Sequence, residues 1–66
     1  MDTEQSVRNA LMEIEQKHKD FFKENQKSIV DFITIYWGDP VYIRIKDNRL
    51  PIEISLDIGE AFEFFD

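Results

Sequence analysis

Val7, Ala10, Leu11, Ile14, His18, Phe21, Phe22 and Asn25 follow one another at steps of 3, 1, 3, 4, 3, 1 and 3 along the first third of the chain. That spacing places them in one stripe of an α-helix and predicts a helix over about 3–27. Asp2 and Gln5 stand at the spacing of a capping box at its start. Glu13 with Lys17 and Glu15 with Lys19 are favourable i, i+4 pairs on its wet side. Two adjacent phenylalanines and a histidine suit a helix lying on a sheet better than a coiled-coil seam.

From residue 29 the period changes to two. Ile29 to Lys46 holds two runs of β-branched and aromatic residues around Gly38-Asp39-Pro40, a hairpin signal. Val41, Ile43 and Ile45 alternate with Tyr42, Arg44 and Lys46, and Leu50, Ile52, Ile54 and Leu56 alternate with Pro51, Glu53 and Ser55. Strands are thus expected at about 29–37, 41–46 and 50–56. A two-residue Asp47-Asn48 turn would join the last two, with Pro51 marking an edge strand.

Turn length decides the first hairpin, because a slip of one residue exchanges its faces. With Gly38-Asp39 as a two-residue loop, Tyr36 faces Val41, Thr34 faces Ile43, Phe32 faces Ile45, and Asp31 opposes Lys46 as a cross-strand ion pair. A three-residue loop would put Asp31 on the dry face, where a lone carboxylate is costly. The two-residue register leaves Ile33, Ile35, Trp37 and Tyr42 on a second apolar face that needs a cover. A short helix at about 58–65 is one cover: Asp57 and Glu60 repeat the capping-box spacing, and Ile58, Ala61, Phe62 and Phe65 fall at helical steps. A strand over 58–64 is the alternative there. A second molecule anchored on Trp37 and Tyr42 is the other cover.

The expected architecture is α+β: a long N-terminal helix packed on a three-stranded antiparallel meander, then a short C-terminal helix, all within one small domain of 66 residues. A chain this short is marginally stable without a staple or a partner. It has no cysteine, which removes disulfides and thiolate metal sites and leaves oligomerisation, most simply a homodimer. No apolar run approaches the ~18 residues of a membrane span, and the first residues lack a secretory pattern, so a cytoplasmic protein is expected.

Net charge is −6, and its distribution is uneven. Residues 1–28 hold six acids and five bases and residues 29–50 three of each, whereas residues 51–66 hold five acids and no base. Such a field disfavours direct binding to a phosphate backbone and favours a basic protein, such as one that itself binds nucleic acid. Lys17, Lys19, Lys23 and Lys27 alternate with acids and make no sustained positive patch.

Candidate chemistry is sparse. His18 is the only histidine, and Glu15-x-x-His18 is a spacing used in di-metal bundles, but those sites take further carboxylates from several helices. No serine or threonine has an accompanying base, and two glycines make no phosphate loop. These features point away from an enzyme and call for no cofactor. The function expected is non-enzymatic protein binding, as an inhibitor or regulator of the kind made by phages or mobile elements, in one version by imitating the charge of DNA. The acidic end, Glu53, Asp57, Glu60, Glu63, Phe64 and Asp66, is one candidate contact surface; the face of Ile33, Ile35, Trp37 and Tyr42 is the other. A structural homo-oligomer with no other partner is the alternative reading, and a ligand site centred on His18 a further one.

Overall fold

The computed structural model describes residues 3–62. Asp2, Phe64 and the other terminal residues lie outside that range, so the Asp2 cap and the acidic positions Glu63 and Asp66 are not placed. Helix α1 (Thr3–Lys17) buries Val7, Leu11 and Ile14, as its stripe predicts. The stripe does not continue as one straight rod. His18 leaves helical geometry (φ −115°, ψ 34°) and starts α2 (Lys19–Asn25). A straight helix over 3–27 would be about 37 Å long, whereas the molecule's longest extent is 33 Å. The break allows Phe21 and Phe22 to meet Phe32, with ring centroids 5.6 and 6.0 Å away.

Helix α2 ends in a Schellman motif. Gln26 adopts left-handed geometry (φ 54°), its amide donates to the Lys23 carbonyl, and the Lys27 amide donates to the Phe22 carbonyl.

A strand was expected from residue 29, but Ile29–Asp31 is a single 3-10 turn and β1 spans Ile33–Tyr36. Asp31 is the cause. Its carboxylate accepts the Ser28 amide at 2.8 Å and closes a capping box. The Ile29 amide donates to Glu15 of α1 at 2.9 Å, which ties this turn to the helix.

Strand β2 (Tyr42–Ile45) pairs antiparallel with β1 in the register Ile33 with Ile45, Thr34 with Arg44, Ile35 with Ile43 and Tyr36 with Tyr42. This is one residue away from the expected pairing, and the connection around the cis Asp39–Pro40 bond is correspondingly longer. The objection to this register was that Asp31 would be stranded on the dry face. Because Asp31 has left the strand, all four isoleucines can share one face, while Thr34, Tyr36, Tyr42 and Arg44 share the other. Phe32, not Asp31, stands opposite Lys46, whose amide donates to the Phe32 carbonyl at 2.9 Å.

The expected third strand is a helix. The sheet among the described residues has two strands, and α3 spans Ile52–Phe62, beginning well before the helix expected at 58–65. The Asp47-Asn48 hairpin is likewise replaced by a turn closed from the Leu50 amide to the Asp47 carbonyl, which leads into α3. Pro51 sits just before the first helical residue, where a missing N–H costs nothing, and its carbonyl accepts the amides of Ile54 and Ser55. The competing period of four wins: Leu50, Ile54 and Ile58 are buried, while Ile52 and Leu56 point outward. These three join Val7, Leu11, Ile14, Phe22, Ile29, Phe32, Ile33 and Ile43 in one core, with Ile35 and Ile45 packed at its edge.

Two measurements check this arrangement. Ile54→Ala should cost about 2–5 kcal/mol, and Ile52→Ala, at a position 66% exposed, no more than about 0.5 kcal/mol. Comparable losses in denaturant unfolding would favour the alternating strand instead. Gln26→Gly should raise stability by roughly 0.5–1 kcal/mol by relieving the left-handed side chain, read as a higher urea midpoint at unchanged slope.

Candidate functional site

The wet face and tip of the hairpin carry the first surface. Tyr36 and Tyr42, opposite each other, stack with ring centroids 4.4 Å apart and planes 10° apart. Both are exposed, and Trp37, one residue beyond β1, is 51% exposed. Three aromatic side chains of the hairpin are therefore exposed, two of them stacked and the third, Trp37, following Tyr36 in sequence. The grouping expected from the sequence does not form: Ile33 is buried in the core, Ile35 packs against it, and Tyr42 lies on the opposite face. The isoleucine face packs against the molecule's own helices. The aromatic stack was not anticipated because it depends on the register, which the local pattern leaves open by one residue.

Helix α3 carries the second surface. Glu53, Asp57 and Glu60 stand at i, i+4 and i+7 and share a side of the helix. Glu53 and Glu60 are exposed. Asp57 has internal partners. Its Oδ2 lies 2.6 Å from His18 Nε2 and 3.3 Å from Lys17 Nζ. A carboxylate only accepts, so His18 donates from Nε2. The hydrogen bond from His18, reinforced by Lys17 against the opposing effect of burial, lowers the Asp57 pKa below its usual value. Expected as the cap of a helix beginning at 58, Asp57 instead sits mid-helix and ties α3 to the joint between α1 and α2. Lys17 was read as a partner of Glu13 and as one of four lysines on a solvated face; its link to Asp57 spans forty residues and has no local signal.

A shallow groove between α1 and α3 is lined by Ala10, Glu13, Lys17, Asp57, Glu60 and Ala61. Glu15 faces away from a shared site with His18, since it caps Ile29. Among the described residues no group of three or more His, Cys, Asp or Glu side chains is placed to hold a metal ion. At the Asp47 turn, the Arg49 side chain and then its backbone amide hold the Asp47 carboxyl down at about 2. No helix among the described residues is long and apolar enough to cross a membrane.

Comparison of the chain with models of protein families, with curated proteins and with solved structures finds no match.

Asp57→Asn should cost about 1 kcal/mol near neutral pH, the scale of a partly exposed charged hydrogen bond. Because the folded-state pKa lies below the unfolded one, this contribution is complete above the ordinary carboxylate value and fades as pH falls through the lowered value. The gap between variant and parent in urea unfolding should accordingly close in acid below 3.8. A gap independent of pH would contradict the ion pair.

Proposed function

We propose that the protein is a non-enzymatic protein-binding module, acting as an inhibitor or regulator of a basic protein. The observation that carries this reading is the exposure of three aromatic residues at the hairpin, the stacked Tyr36 and Tyr42 and, next in sequence to Tyr36, Trp37. Trp and Tyr are the residues most enriched at binding hot spots, and stacking restricts the two rings before any partner arrives. A net charge of −6 adds long-range attraction for a positively charged partner. Imitation of a DNA backbone is a narrower version, supported by the regular spacing of Glu53, Asp57 and Glu60 and weakened by the pairing of Asp57 with His18 and Lys17.

The test is capture of a partner from extracts of the source cells on the immobilised chain, compared with Trp37→Ala. That variant should keep its unfolding midpoint and bind the partner at least about tenfold more weakly, the loss typical of a truncated aromatic anchor. Equal capture by both would remove the hairpin from the contact. The DNA-mimic version further requires binding to weaken steeply with salt.

A further inference from the structure

The outward side of α3 combines apolar and acidic groups in a way the core does not use. Ile52 and Leu56 stand at i, i+4 and are 66% and 54% exposed. Helical geometry places Glu60 and Glu53 along one flank of that pair, and both glutamates are exposed. No lysine or arginine occurs anywhere from residue 50 to the end of the chain. The face is therefore an apolar pair with negative charge along one flank, distinct from the hairpin aromatics; Asp57 lies beyond that flank, turned to His18 and Lys17.

We propose that this face docks a basic amphipathic helix of a protein partner. The inference rests on the protein-binding reading and assigns it a second surface and a partner chemistry. Charge selects the occupant. A second copy of α3 would bring Glu53 and Glu60 against the same residues, and every copy carries a net charge of −6. An anionic membrane surface is repelled by the same glutamates. A helix with leucines at i, i+4 and lysines or arginines along one flank matches both parts: its apolar residues cover Ile52 and Leu56 while its cations face Glu53 and Glu60. The eleven residues of α3 span about 16 Å, room for roughly three turns of such a helix. The face is small, so binding of a single helix falls in the micromolar range.

The experiment titrates the full chain into a fluorescein-labelled amphipathic peptide of leucine and lysine, with a leucine and glutamate peptide of the same pattern as control, and follows anisotropy. Supporting results are micromolar binding of the lysine peptide, none of the control, and about tenfold weaker binding to both Ile52→Ser/Leu56→Ser and Glu53→Gln/Glu60→Gln. Trp37→Ala should bind the peptide as the parent does. All five positions changed across these variants are solvent-facing, and urea unfolding of each variant verifies the fold. Failure of the lysine peptide to bind, or unchanged binding by either double variant, overturns the proposal. Loss of peptide binding in Trp37→Ala alone also overturns it, moving the peptide to the hairpin and leaving the protein-binding reading in place. A dimer in sedimentation that Ile52→Ser/Leu56→Ser dissociates would show a second copy on this face, and overturns it as well.

Discussion

A two-stranded hairpin on its own is marginal in water, and here it carries Ile33, Ile35, Ile43 and Ile45 on one face. Covering that face is the constraint from which the remaining structure follows. Ile43 is fully buried and shares the core with Ile54 and Ile58 of α3 and with the stripe of α1. Had the segment after Asn48 extended the sheet as a third strand, it would have added further apolar surface to the same face while removing one of its covers. As a helix, it presents Ile54 and Ile58 to the core and turns Ile52 and Leu56 outward.

The same arrangement divides the carboxylates between internal and external roles. Asp31 caps a turn, Glu15 holds that turn to α1, Asp47 fixes the turn before α3, and Asp57 links α3 to the helix joint at His18. Charge that looks like a uniform acidic tail in the sequence is partly consumed in holding elements together. Glu53 and Glu60 are the acids of α3 that remain exposed to a partner. Likewise the aromatic residues split: Phe21, Phe22 and Phe32 pack together, Phe21 and Phe22 edge to face with centroids 5.1 Å apart, while Tyr36, Trp37 and Tyr42 remain outside.

The sequence was legible where a signal was long and periodic. The apolar stripe of α1, the existence of the hairpin and the presence of a C-terminal helix could all be read from spacing, as could the acidic character of the last residues. The candidate site was less legible. Glu53 and Glu60 were identified as surface acids, but the exposed pair Ile52 and Leu56 was hidden by an alternating pattern that fits a strand as well as a helix. Pro51, read as an edge-strand residue, was the available helix-start signal.

Local sequence determined that residues 3–25 favour helix, that Gly38 to Pro40 reverse the chain, and that the two runs beside them favour strand. Tertiary structure decided the break at His18, the register of the hairpin and the conversion of residues 52–56 from strand to helix. The reason is common to all three. A one-residue slip in register or a change of period leaves local propensity almost unchanged, but it changes which side chains face inward, and only the cover supplied by distant elements distinguishes the outcomes. Asp31 shows this most clearly: once it caps Ser28 instead of entering the strand, the register that seemed to bury a charge becomes the one that unites four isoleucines.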